Sequence, residues 1–266
     1  MTRLISRGKK SARKTALGAA GVLAFLLVWQ MIPLLGIVDQ QFLPSATQTI
    51  AQLASNATGS AFWFDVRDTM TAWAVGLGIA TVAAVILGTL IGMIPVVRRG
   101  THTTVEFLRP IPSVALIPLA VVMFGLNLQS ALVIVVYASF WQVFVQVLYG
   151  VADVDAVARD TAKSYRLPRH TRFFRLVLPT ALPYIMTGLR LGATVALILA
   201  VTAEITIGNP GLGRTIVMAQ SAGNSVQVFA TVIVTGILGL IINMVFRAIE
   251  RKSLSWHQSQ RVEEVL

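Results

Sequence analysis

The chain has no cysteine in 266 residues, only three histidines, and few charges: Asp, Glu, Lys and Arg together make up 12% of it. Without cysteine there is no disulfide and no thiolate metal site, and the redox compartment leaves no trace in the sequence. His102, His170 and His257 stand far apart and lack metal-ligand spacing. No G-x-x-x-x-G-K-[ST] phosphate loop occurs, and no paired carboxylates, H-E-x-x-H or G-x-S-x-G motif. The chain is therefore read as non-enzymatic, with no catalytic, cofactor-binding or metal-binding residues of its own. If ATP drives it, another subunit binds the ATP. Internal repeats, low-complexity tracts and a separate soluble domain are also missing. The largest segment between apolar runs is about thirty residues, too short to fold alone.

A soluble domain carries about 25% charged residues. Half that share, with 55% hydrophobic residues and a mean hydropathy of +0.74, marks an all-α integral membrane protein. A spanning helix needs about 20 apolar residues. Six candidates are expected, at Thr15–Val38, Thr69–Val97, Phe107–Gly125, Ala131–Val151, Ala181–Gly208 and Phe229–Phe246. The first is read as an uncleaved anchor, because it is long for a signal core and no small-residue cleavage pattern follows it. In the third, Arg109-Pro110-Ile111-Pro112 and Pro118 predict either a bent helix or a distorted one lining a water-filled path. Arg109 itself is read as structural, at the membrane boundary.

The net charge of +11 is placed as the positive-inside rule requires, so nucleic acid is not the expected partner. With the N-terminus inside, cytoplasmic segments hold 18 of the 22 Lys and Arg residues. The expected layout is a basic cytoplasmic N-terminus over 1–14, a transmembrane domain over 15–250 and a cytoplasmic tail over 251–266. Both termini lie in the cytoplasm, in a bacterial inner membrane. Outside, Pro44-Ser45 opens a short helix with Ile50 and Leu53 on one face. Asn209-Pro210-Gly211-Leu212-Gly213 breaks the chain before a second short helix at Arg214–Ala222.

Within the apolar runs the polar groups are few. Arg190 and Glu204 are expensive there, and fourteen residues of helix put about 21 Å between them, so they do not pair with each other. Arg190 is read as a snorkelling or interhelical structural residue. For Glu204 two readings stand open: a cap on the re-entering segment, or a group facing the path. Gln142, Gln146 and Thr194, with Arg190 and Glu204, are the candidate pathway or gate residues. Trp63, Trp73, Trp141 and Tyr184 are read as aromatic-belt residues.

The most specific stretch is the connection over 152–180. It carries Lys163, Arg166, Arg169, Arg172 and Arg175, paired aromatics at Phe173 and Phe174, and Leu178-Pro179 just before the next run. Asp160-Thr161-Ala162, with Leu176, Leu178 and Pro179 downstream, resembles the EAA loop of permease subunits of bacterial ABC importers. The family's glycine position is occupied here by Arg166, a departure bearing on the sharp turn between two short helices; Leu167-Pro168 is expected to supply a break in its place. Phe42-Leu43-Pro44-Ser45, Leu108-Arg109-Pro110-Ile111-Pro112, Leu116-Ile117-Pro118-Leu119, Leu182-Pro183-Tyr184-Ile185, Thr187-Gly188-Leu189-Arg190 and Ala203-Glu204 with Gly211-Leu212-Gly213 are similar to the nitrate/sulfonate/taurine branch of these permeases. The resemblance runs from about residue 20 to 255.

It implies a type I ABC importer fold with a coupling helix that docks on a cytoplasmic ATPase. Val157, Asp160, Thr161, Ala162, Lys163, Tyr165, Arg166 and Phe173 are the implied coupling residues. Asp160 and Ala162 would lie at the core of that contact, with Phe173 and Phe174 tying the loop to the membrane base. The implied partners are a second permease copy, two ATPase subunits holding ATP and Mg, an external solute-binding protein and the lipid bilayer. The implied solute is a small anion such as a sulfonate, nitrate or an aromatic acid. The competing class is a secondary transporter or channel working without ATPases. Such a protein is expected to show repeats or intramembrane carboxylate clusters, and only Glu204 qualifies.

Overall fold

The computed structural model describes residues 2–254, with side chains from residue 16 onward. The tail expected at 251–266 lies outside the described residues from 255, and the side chains of the basic N-terminus before residue 16 are also outside them. Every regular element is helical: α1 (Thr2–Leu34), α2 (Ala46–Thr58), α3 (Ser60–Met93), α4 (Pro95–Leu108), a 3₁₀ turn (Ser113–Leu116), α5 (Ile117–Phe124), α6 (Leu128–Ala152), α7 (Ala156–Ser164), α8 (Arg169–Arg172), a π turn (Phe173–Val177), α9 (Leu178–Ile207), α10 (Leu212–Ser221) and α11 (Ser225–Ser253). The chain forms two compact units, Met1–Phe62 with Thr215–Val234, and Trp63–Arg214 with Thr235–Leu266.

In the first unit α2 begins with a capping box. The Gln48 N–H donates to Ser45 Oγ (3.3 Å) and the Ser45 N–H to Gln48 Oε1 (3.2 Å), satisfying two donors that a helix start leaves orphaned. The α1 end holds this turn in place. Trp29 Nε1 donates to the Pro44 carbonyl (3.0 Å), and the Thr47 N–H donates to Gln30 Oε1 (3.0 Å). This is the short helix expected after Pro44.

In the second unit, small residues let helix backbones approach, the main source of helix association where lipid is as apolar as Leu. Gly76, Ala80, Ala84, Gly88 and Gly92 recur every four residues along α3. Opposite them on α6 stand Val135, Val147 and Val151: a Cβ on Gly76, Gly88 or Gly92 would collide with each in turn. Both series rise together, so α3 and α6 run parallel. The α9 helix runs antiparallel to both, with Gly150 against Ala181, Gly192 against Val143 and Leu77, and Trp73 Nε1 donating to the Ala193 carbonyl (2.9 Å). That bond gives Trp73 an interhelical role that the belt reading missed. On the far side of α9, Leu197 packs by Gly239 and Arg190 reaches Glu250, so α11 is antiparallel to α9.

Two parallel helices need a crossing between them. Among the described residues five helices are long and apolar enough to span a bilayer, or six with α4 and the 113–124 segment taken together as one span bent by 82°. The irregular third span expected at Phe107–Gly125 is thus bent, and its helix begins earlier than expected, at Pro95. The break falls at 109–112, where Pro110 and Pro112 cannot donate to a helix ladder. The α6 side chains brace it: Tyr137 Oη donates to the Leu108 carbonyl (2.6 Å), Ser130 Oγ donates to the Ala120 carbonyl (3.2 Å) and also meets the Gly125 carbonyl. The fifth span is corrected too. Helix begins at Arg169, well before the expected Ala181, and runs without a gap through the π turn into α9. There the Leu178 N–H reaches back five residues to Phe173. Pro179 follows directly and cannot bond its i−4 carbonyl, a recognised cause of such irregular turns.

Candidate functional site

The connection between α6 and α9 is an ordered elbow. Asp155 caps α7, its Oδ1 accepting from the Ala158 N–H (2.7 Å). At the other end the Leu167 N–H bonds the Ala162 carbonyl (3.0 Å) and the Arg166 N–H bonds that of Lys163 (2.8 Å). This paired pattern requires a left-handed residue between, and Arg166 has φ +50°. The turn expected from Leu167-Pro168 is thus made at Arg166 itself. Pro168 instead stands at the N-cap of α8. Among the described residues Arg166 is the single non-glycine with positive φ, and it occupies the position where the resembled family has glycine.

The coupling residues separate by direction. Ala162 is buried, and Phe173 is half-buried against a cluster including Val151, Val154, Val177 and Ala181. Ala162 is thus packed against its own chain, at the floor of the depression between α7 and α8. Phe174 is 62% exposed. Facing solvent are Val157, 74% exposed, and Tyr165, 78% exposed, with Asp160, Thr161, Lys163 and Arg166 beside them. Asp160 accepts a hydrogen bond from Lys163 Nζ (2.8 Å), and this bond and the lysine charge hold its carboxyl below the ordinary value. Between α7 and α8 lies a shallow, mainly apolar depression lined by Val157, Thr161, Tyr165, Leu167, Arg172 and Leu176. The Arg172 Nε is buried without a partner among the described residues. An apolar patch with a basic rim, outside any span, has the chemistry of a protein-docking site.

The elbow is joined to the spans. Tyr184 Oη donates to Asp153 Oδ2 (3.0 Å), and Arg159 Nη2 donates to the Val151 carbonyl (3.4 Å). Neither bond was legible in sequence, since each depends on how α6 and α9 meet. At the opposite end of α9, Glu204 is 1% exposed. Its Oε2 accepts from Thr69 Oγ1 (3.0 Å) and from the Gly213 N–H (2.8 Å), while Thr69 Oγ1 accepts the Leu212 N–H (3.0 Å). Glu204 thus caps the start of α10, and α3, α9 and α10 meet on one carboxylate. A Cβ on Gly211 would overlap that carboxylate. Arg190 Nη1 lies 3.1 Å from Glu250 Oε2. Thr194 is exposed with its hydroxyl bonded to the Arg190 carbonyl (3.1 Å). Gln142 and Gln146 are half-buried on α6, and Gln146 lies against Gly188. Gln142 and Gln146 are thus neighbours on α6, Arg190 and Thr194 neighbours on α9, and Glu204 stands apart at the far end of α9.

A bundle with a parallel helix pair, a broken crossing and a capped elbow is the fold of an ABC importer's membrane subunit. In an inward-facing structure of the MetNI methionine ABC transporter, one chain superposes with a TM-score of 0.62, at 19% identity, covering 72% of this chain and 96% of that one. By sequence, 254 residues are 30% identical to the taurine transport system permease protein TauC of Escherichia coli K12, covering 92% of this chain and 91% of TauC. Over 234 residues, 27% are identical to the nitrate import permease protein NrtB of Synechocystis sp., covering 85% of this chain and 84% of NrtB. Residues 80–254 match the family described as binding-protein-dependent transport system inner membrane component. The chain belongs to that family: it is a multi-pass permease subunit of an ATP-driven importer.

Proposed function

We propose that this chain forms half of a translocation path for a small oxyanion, such as a sulfonate or nitrate, and takes its driving force through the elbow at Val157–Arg166. It works as a pair of copies with two ATPase subunits, which hold the ATP and Mg, and with an external solute-binding protein. Both termini and the elbow face the cytoplasm, an orientation supported by the 18 of 22 Lys and Arg residues that it places there. No covalent chemistry acts on the solute.

The observation that carries this reading is the left-handed turn at Arg166. The elbow keeps a glycine-type geometry although glycine is gone, and the geometry presents Val157 and Tyr165 outward while Ala162 locks inward. Helix then continues from α8 into α9, so a push on the elbow moves α9 as one piece. Tyr184–Asp153, Arg190–Glu250 and Glu204–Thr69 pass that motion to α6, α11 and α3. Nucleotide shifts the balance between inward-open and outward-open states because the ATPases grip the elbow differently in each. The oxyanion assignment rests on taurine and nitrate permeases standing among the relatives.

The test is co-purification of an ATP-binding cassette ATPase with this chain. Val157→Arg and Tyr165→Arg place charge on the exposed face without touching buried Ala162. Both abolish capture while the chain still inserts and elutes as a single species. Undiminished capture by both variants refutes the elbow as the docking site.

A further inference from the structure

We propose that the basic hollow on the first two turns of α4 binds an anionic phospholipid, with Arg98 and Arg99 on its phosphate and its acyl chain along an apolar strip that ends at Phe107. No residue of α4 is buried. The hollow is lined by Pro95, Arg98, Arg99, His102 and Thr103, and spacings of three and four residues bring the two arginines beside His102 and Thr103. Neither guanidinium has a partner among the described residues. Glu106, one turn beyond His102, is held by that histidine, with Nδ1 3.4 Å from Oε2. The charge of both arginines is therefore left for something outside the chain.

Neighbouring contacts fix the depth of the hollow. Gly92, just before α4, lies against Val151, next to the last residue of α6. At the far end of α4 the Leu108 carbonyl accepts from Tyr137, fourteen residues back along α6. Fourteen residues of helix rise about 21 Å. So α4 climbs beside the inner part of the α6 span, and its arginines stay at the end of that span, at headgroup level. Val96 and Phe107, 79% and 72% exposed, are eleven residues apart, close to three turns, and share one face. Exposed Met93 and Ile94 adjoin the start of that strip. A basic hollow at the boundary with an apolar strip leading into the bilayer has the two halves of a lipid site. Two guanidiniums suit a phosphate, which accepts their paired N–H groups, and basic side chains at this level draw anionic lipids. A zwitterionic lipid brings its own ammonium to the same phosphate and gains less. In the orientation proposed above, the leaflet is the cytoplasmic one. The site stands whatever solute the chain carries.

The test is native mass spectrometry of the full chain in mild detergent, titrated with phosphatidylglycerol, with phosphatidylcholine or with inorganic phosphate. One tight phosphatidylglycerol adduct per copy is expected, and Arg98→Gln with Arg99→Gln weakens it roughly twenty-five-fold, about fivefold for each arginine that faces an anionic surface. Arg247→Gln with Arg251→Gln removes the same charge from the exposed end of α11 and leaves the adduct in place. If the α4 double variant fails to insert, Phe107→Ser decides: it weakens a long-chain phosphatidylglycerol and leaves a short-chain one unchanged. Phosphatidylcholine held as tightly as phosphatidylglycerol overturns the proposal, and so does an equal loss in the α11 variant, which would make the attraction diffuse. Inorganic phosphate held as tightly as the lipid would make the hollow a free-anion site and overturns it too. A two-copy species that excludes the lipid would assign the strip to a second copy and has the same effect. None of these readouts involves the ATPase or transport, so each leaves the elbow reading untouched.

Discussion

The Arg190 guanidinium and the Glu250 carboxylate, sixty residues apart, meet at 3.1 Å and join α9 to α11. The glutamate side chain is 17% exposed and the arginine 34%. Removing one partner strands a largely buried charge, whereas removing both leaves an apolar contact. Arg190→Leu is expected to lower stability by about 3 kcal/mol, and Arg190→Leu with Glu250→Leu to restore most of it. Thermal midpoints of the full chain, single against double variant, check this. Additive losses would rule out a specific pair.

Arg166 pays a steric penalty for its left-handed backbone that glycine avoids. Arg166→Gly should stabilise the α7 end by about 1 kcal/mol, and Arg166→Val, β-branched, should destabilise it by more. Hydrogen exchange of the Arg166 and Leu167 amides reports the local effect, with about fivefold slower exchange for Arg166→Gly. Faster exchange in that variant would contradict the assigned geometry.

Gly88 and Val147 test the parallel α3–α6 seam. A Cβ at Gly88 would stand 2.8 Å from Val147 Cγ1. Overpacking of this kind costs about 1–3 kcal/mol, so Gly88→Ala lowers the midpoint while Gly88→Ala with Val147→Ala recovers much of the loss. A Val147→Ala change that fails to rescue would place the helices in another register.

Asp160 supplies a pH dependence. Its carboxyl is held below the ordinary 3.8, first by the hydrogen bond from Lys163 and then by that lysine's charge. A lowered folded pKa gives a contribution in place above 3.8 and lost as pH falls through the lowered value. Exchange protection of the α7 amides, corrected for intrinsic rates, stays level from pH 8 to pH 5 and then declines in strongly acid solution. A decline already complete at pH 5 would assign the transition to another group.

Most of the spans were legible because apolar runs of membrane length need no neighbours to be recognised. Pro110 and Pro112 showed that the third crossing is irregular, but the angle depends on what α6 offers its carbonyls. At Arg166 the residue type pointed away from a left-handed turn, and only the closure between Ala162 and Leu167 imposes it. Ala162 stood out because it is small and sits in a family motif; its direction follows from the α7 cap and from packing below. Tyr184 and Trp73 fitted an aromatic belt by position, yet each spends its polar atom on a neighbouring helix. Glu204 was left between two readings, and the partners that make it a cap, Thr69 and Gly213, lie 135 and 9 residues away.

Each arm of the third crossing, Pro95–Leu108 and 113–124, falls short of the roughly 20 residues a bilayer demands. Its carbonyls at Leu108, Ala120 and Gly125 take additional hydrogen bonds from Tyr137 and Ser130, both synthesised later. During biogenesis, then, this stretch leaves the ribosome before the side chains that brace it. It waits for the helix behind it, and the membrane topology of the protein is completed backwards at that one point.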